Sequence, residues 1–86
     1  MSYTVTIKTS AQKELKRIDY QMHDRIIERI ISLQENPRPN GCEKLGGQDS
    51  YRIRIGDYRI AFTIDDKAKL VEIIKIGDRK EVYKKR

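Results

Sequence analysis

Apolar residues change their spacing along the chain, and each change marks an element. Tyr3, Val5 and Ile7 alternate with Thr4, Thr6 and Lys8, the period of a half-buried strand. From Thr9 the spacing lengthens. Ala11, Leu15 and Ile18 fall on one helical stripe, and Thr9 with Gln12 has the form of a capping box. Asp19 is placed to cap a second helix in which Met22, Ile26, Ile27, Ile30, Ile31 and Leu33 form a broad apolar face. Only the residues around Ile18 to Gln21 separate the two, which predicts an antiparallel helix hairpin lying over one face of a sheet. Asn36-Pro37 stops the second helix. Arg38-Pro39-Asn40-Gly41 then opens a surface loop that continues through Gly46-Gly47-Gln48-Asp49, with Leu45 pinning it to the core.

Alternation returns over residues 51–55 and 58–64, and Gly56-Asp57 between them reads as a tight two-residue turn with glycine at positive φ. Asp65-Asp66-Lys67-Ala68 makes the next turn. The run from Leu70 to Ile76 is so evenly apolar that it belongs in the sheet interior. The predicted fold class is α+β: an N-terminal strand, an antiparallel helix hairpin, then a three-stranded antiparallel meander completing one sheet, with a short basic C-terminal tail. At 86 residues the chain is expected to form one domain over 1–86.

Composition narrows the setting. No apolar run approaches the roughly 18 residues of a membrane helix, and the first residues lack the basic lead and apolar stretch of a signal peptide, so a cytoplasmic protein is expected. Cys42 is the only cysteine and His23 the only histidine. An internal disulfide or a cysteine-rich zinc site is therefore out of reach, and Cys42 reads as structural. The balance of 19 Lys and Arg against 13 Asp and Glu leaves a net charge of +6, which favours anionic partners but equally serves solubility.

Strand parity separates those two meanings. With Gly56 and Asp57 as the loop, Arg54 faces Arg59, Ile53 faces Ile60 and Arg52 faces Ala61. One side of the hairpin carries Ile53, Ile55, Ile60, Phe62 and Ile64 towards the helices; the other carries Arg52, Arg54 and Arg59 towards solvent. Like charges directly opposed destabilise a sheet, and a surface serving solubility alone would set Glu or Asp opposite Arg54. Three guanidinium groups suit bidentate contact with phosphate or carboxylate. The plainer alternative is a solvated face whose arginine stems cover apolar surface, paired with Glu72 on the next strand. Tyr83, an aromatic in a basic tail, can stack on an unpaired base or simply anchor the tail.

The segment Tyr51-Arg52-Ile53-Arg54-Ile55-Gly56-Asp57-Tyr58-Arg59-Ile60, followed by Ile76-Gly77-Asp78-Arg79-Lys80-Glu81-Val82-Tyr83, resembles the RelE/ParE toxin superfamily, and the likeness extends over essentially the whole chain. The resemblance implies a toxin of a type II toxin–antitoxin system. In its RelE branch it implies a ribosome-dependent endoribonuclease that cuts mRNA in the A site through attack of the RNA 2′-hydroxyl, with no metal or cofactor. It implies a catalytic set of Arg52, Arg54, Arg59, Arg79 and Tyr83, with Arg59 and Arg79 on the phosphate, Tyr83 stacked near the attacked nucleotide, and Lys80 and Lys84 holding RNA. The implied partners are the ribosome with its mRNA and an acidic RelB-like antitoxin, in a toxin–antitoxin hetero-oligomer away from membranes. In one respect the chain departs from the best-known members, which carry lysines where it has Arg52 and Arg54. A guanidinium with a pKa above about 12 is a poor general base, so the proton passes through Tyr83 or Glu81, or the reaction is slower. Two other functions fit the same fold: a ParE-like inhibitor of DNA gyrase without nuclease activity, and a non-catalytic module that only binds an acidic antitoxin.

Overall fold

The alternating start forms strand β1, Thr4–Ile7, with Val5 and Ile7 turned to the core and Thr4 and Thr6 exposed. The computed structural model describes residues 2–46 and 49–78. Helix α1 spans Thr9–Lys16 and buries Ala11 and Leu15, while Ile18 packs from the turn that follows. Helix α2, Tyr20–Ser32, buries Ile26 and Ile30, and Leu33 caps it from the core side.

Four details depart from the periodicity. The capping box over Thr9 does not form: Lys8 is the N-cap of α1, and the Gln12 side chain donates instead to the Ile7 carbonyl at 2.9 Å. Asp19 takes the N-cap position of α2 but makes no side-chain cap bond there. Ile31 lies 54% exposed, because the buried stripe of α2 runs through Ile26, Ile30 and Leu33 and turns Ile31 outward. The regular helix also ends at Ser32, ahead of Pro37, although the Asn36 amide still reaches the Ser32 carbonyl at 3.2 Å.

The second half of the chain builds most of the sheet. Strands β2 (Glu43–Leu45), β3 (Ser50–Ile55), β4 (Tyr58–Asp65) and β5 (Leu70–Asp78) join β1 in the order β1-β5-β4-β3-β2. β1 runs parallel to β5, and every other pairing is antiparallel. β5 is therefore an interior strand, as its even apolarity requires. β2 was expected as loop. It forms because Glu43, Lys44 and Leu45 pair with Arg52, Tyr51 and Ser50 at the edge of β3, a tertiary pairing that three residues without alternation do not announce. Leu45 is half-buried in that strand and stands outside the core cluster, so it does not pin the segment to the core.

The core fills the space between the helices and one sheet face. Phe62, Ile53, Ile60, Ile64 and Ile73 from the strands meet Ile26 and Leu33 from the helix side, all at most 1% exposed. Aromatic packing supports one end, where Tyr51 stacks on Phe62 with ring centroids 6.0 Å apart. The helices cover only this face. A bulge between Ala61 and Phe62 adjusts the β4–β5 register, so that Ile60 faces Ile76 and Phe62 faces Ile73 on the core side.

Candidate anion site on the open sheet face

The open face of the sheet is where the hairpin sends its charges. The β3–β4 register places Arg54 directly opposite Arg59 and Arg52 opposite Ala61, and Gly56 turns the hairpin at φ +59°. The next residues across, Gly77 opposite Arg59 and Lys75 opposite Ala61, continue these rows on β5. With Ala61 and Gly77 between the long side chains, the floor of the site is low. Arg54 is exposed, and Arg52 and Arg59 are half-buried. A cavity of about 190 Å³ opens at this end of the hairpin, lined by Arg54, Gly56, Asp57, Tyr58 and Arg59. Tyr51 and Tyr58 turn to the core side, as packing residues should.

A carboxylate that the sequence pattern did not point to shares this face. Glu43 on β2 is the cross-strand neighbour of Arg52. Its Oε1 accepts from Arg52 Nη2 at 2.6 Å and from Nε at 3.2 Å. Among the described residues no hydrogen bond reaches its Oε2. Hydrogen bonding from Arg52, followed by the charge of Arg52 and then of Arg54 and Arg59, holds the Glu43 carboxyl below the usual carboxylate range. The pairing with Glu72 does not form: Glu72 lies opposite Thr63, one row further along. Glu43 could have been found in the sequence only by extending the hairpin to a third strand, which nothing in residues 41–49 suggests.

The other charges nearby are committed elsewhere. Lys75 donates to Glu14 Oε2 on α1 at 3.2 Å, and the same carboxylate accepts from the Ile76 amide at 2.8 Å through Oε1, at the part of β5 that β1 does not cover. Cys42 is half-buried, and burial raises its thiol pKa, which fits a structural residue. His23 stands on α2 with its Nδ1 3.6 Å from Asp24, on the far side of the sheet from the arginines. Of the side chains singled out in the sequence, Arg52, Arg54 and Arg59 come together on one face; Arg79, Lys80, Glu81, Tyr83 and Lys84 lie outside the described residues.

This arrangement can hold an anion of phosphate size between two opposed guanidinium groups, with a third alongside. Comparison with known proteins places it in a family. Residues 5–83 match the profile of the ParE toxins of type II toxin–antitoxin systems. The mRNA interferase toxin RelE of Escherichia coli is 25% identical over 87 residues, covering 96% of this chain and 92% of the relative. RelE1 of Methanocaldococcus jannaschii is 31% identical over 88 residues, covering 98% of each. In the crystal structure of the archaeal RelE–RelB complex from Pyrococcus horikoshii, a chain 29% identical superposes with a TM-score of 0.80 over 92% of this chain and 97% of that one. The chain belongs to the ParE toxin family of type II toxin–antitoxin systems, within the RelE/ParE superfamily and on its RelE-like branch.

Proposed function

We propose that the protein is an mRNA interferase: a toxin that cuts mRNA in the ribosomal A site and is neutralised by a RelB-like antitoxin. The observation that carries this reading is the direct opposition of Arg54 and Arg59 on the sheet face turned away from the helices, with Arg52 beside them. Opposed like charges cost a sheet about 0.5 kcal/mol, and an anion between them reverses the sign. Relatives named as mRNA interferases support RNA as the anion, and the solved RelE–RelB complex supports a RelB-like antitoxin as the partner.

In the proposed reaction the RNA's own 2′-hydroxyl attacks the adjacent phosphorus, and the bond to the 5′ oxygen breaks. That leaves a 2′,3′-cyclic phosphate and a 5′-hydroxyl. Negative charge grows on the non-bridging oxygens, and fixed guanidinium groups stabilise it where it forms. Arg59 and Arg54 fill that role, joined in this proposal by Arg79, with Tyr83 stacking on the attacked nucleotide and Lys80 and Lys84 holding the strand. The antitoxin neutralises the same face with an acidic segment. A toxin that copurified with no acidic protein when expressed from its native operon would count against that partner.

The test is primer extension on mRNA bound to ribosomes. Wild type is expected to produce cuts in the A site, and Arg59→Ala to lose roughly 100-fold or more in rate, the typical effect of removing one oxyanion-stabilising donor. Intact transcripts with wild type would remove the nuclease reading. The match to ParE toxins sustains one other reading, inhibition of DNA gyrase, which predicts blocked supercoiling with transcripts left whole.

A further inference from the structure

We infer that Glu43 is the base that takes the proton from the RNA 2′-hydroxyl. This inference rests on the cleavage reaction proposed above and supplies the step for which the arginines are chemically unsuited. A guanidinium with a pKa above about 12 has on the order of one part in 10⁵ of its population free to accept a proton at neutral pH, whereas a carboxylate there is ionised. Among the described residues on the open face, Glu43 is the carboxylate in contact with an arginine of the site.

The geometry of that contact suits a base. Arg52 Nε and Nη2 bond to the same oxygen, Oε1, so the guanidinium fixes the carboxylate while Oε2 accepts no hydrogen bond among the described residues. Glu43 also lies in the row next to the Arg54–Arg59 pair, on the same face and about 7 Å along the strands, the span of one nucleotide. Among the described residues, the groups facing Glu43 are Arg52 and Arg54 from β3 and Arg59 from β4, with the raised-pKa thiol of Cys42 just before it in the chain. Three cations keep it ionised at neutral pH. Lowering the pKa weakens it as a base, but it still exceeds a protonated guanidinium, which has no lone pair to offer.

Glu43 Oε2 accepts the 2′-hydroxyl proton as the 2′ oxygen bonds to phosphorus. The phosphorus–5′ oxygen bond breaks, and the leaving oxygen takes a proton from water; the protonated Glu43 returns its own to the hydroxide so formed. Asp57 is the competing carboxylate. It lines the 190 Å³ cavity with Arg54 and Arg59, but it sits exposed on the turn and makes no ion pair with either arginine.

Single-turnover cleavage on programmed ribosomes tests the assignment, using wild type, Glu43→Gln, Glu43→Asp and Asp57→Asn. Binding is measured separately on ribosomes carrying 2′-O-methylated mRNA, which lacks the nucleophile. Glu43→Gln is expected to slow cleavage by about 100-fold or more with binding unchanged or tighter, and Glu43→Asp to recover part of the rate. Because Glu43 is ionised throughout, the wild-type rate should stay flat from about pH 6 to about pH 8.5, without the tenfold rise per pH unit of a high-pKa base. The inference is overturned if Glu43→Gln cuts within about threefold of wild type, if its loss is matched by lost binding, or if Asp57→Asn alone abolishes cleavage. It also falls if wild type cuts nothing, an outcome that removes the nuclease reading itself; a cutting wild type with an equally active Glu43→Gln removes only the base. Retained antitoxin binding by Glu43→Gln shows that the variant is folded.

Discussion

At the scale of single residues, the most connected polar group among the described residues is away from the arginine face. Arg38 donates to Asp66 through Nη1 at 3.2 Å and Nη2 at 2.9 Å, and through Nε to the Tyr51 hydroxyl at 3.2 Å; Tyr3 donates to the same Asp66 at 2.8 Å. Lys69, in a left-handed conformation at φ 55°, sets its Nζ 5.0 Å above the Tyr3 ring. These contacts tie the loop after α2 to β3 and to the β4–β5 turn, and so fix where the chain enters β2 and presents Glu43. Bonds from Arg38 first, then Tyr3, lower the Asp66 pKa. A carboxyl whose folded-state pKa lies below its unfolded value adds stability above the unfolded carboxylate range, and loses it as pH falls through the folded-state value. Wild type should therefore melt above Asp66→Asn at neutral pH, and the gap should close in acid. Thermal melts across that range would show it, and parallel curves would mean that Asp66 does not govern acid sensitivity. Tyr3 titrates in the opposite sense: the Asp66 bond raises its pKa, so its contribution holds at neutral pH and is lost only in strong alkali.

At the scale of elements, the β3–β4 hairpin is what aligns the site, and it depends on its turn. Gly56 has φ +59°, and an added Cβ there would come 3.0 Å from Met22 Cε. The methionine end can move, so backbone strain sets most of the cost. Gly56→Ala should destabilise by about 1 kcal/mol, and Gly56→Asn by less, since Asn tolerates that conformation better. Urea unfolding measures both, and equal losses would point to the Met22 contact rather than to φ. The same hairpin shows what a sequence can disclose. Strict alternation around a two-residue Gly-Asp turn leaves one register open, so Arg54 against Arg59 could be read off before any coordinates. β2 could not. Its residues, Glu-Lys-Leu, have neither length nor β-propensity and become a strand only because β3 offers an unpaired edge, so Glu43 stayed hidden in an apparent loop. Helix faces fell between these cases. The period found Ile26 and Ile30 but assigned Ile31 to the core as well, since a stripe of isoleucines does not say how wide the covered face is.

At the scale of the whole molecule, helices bury one sheet face and leave the other to charge, and the basic surface does not stop at the sheet. β2 pairs with Ser50, Tyr51 and Arg52, so among the described residues the edge of β3 beside Ile53, Arg54 and Ile55 has no strand partner. A second cavity, about 460 Å³, lies between this edge and α2, lined by Arg25, Glu28, Arg29, Ser32, Arg54, Ile55 and Gly56. Arg54 borders both cavities and joins them. Arg25 and Arg29, one turn apart on α2, thus extend the arginine face around the edge. Charges on the rim act on polyanion binding through counterion release, while charges at the scissile phosphate act on the chemical step. The double variant Arg25→Gln with Arg29→Gln should weaken binding to programmed ribosomes, most at low salt, and flatten the plot of log affinity against log salt by about two phosphate contacts. Its single-turnover rate at saturation should fall much less than that of Arg59→Ala. Titrations at several salt concentrations separate the two effects. An unchanged salt slope would confine the proposed RNA-binding surface to the sheet, whereas a saturated rate as low as that of Arg59→Ala would mean that the α2 arginines act at the reacting phosphate.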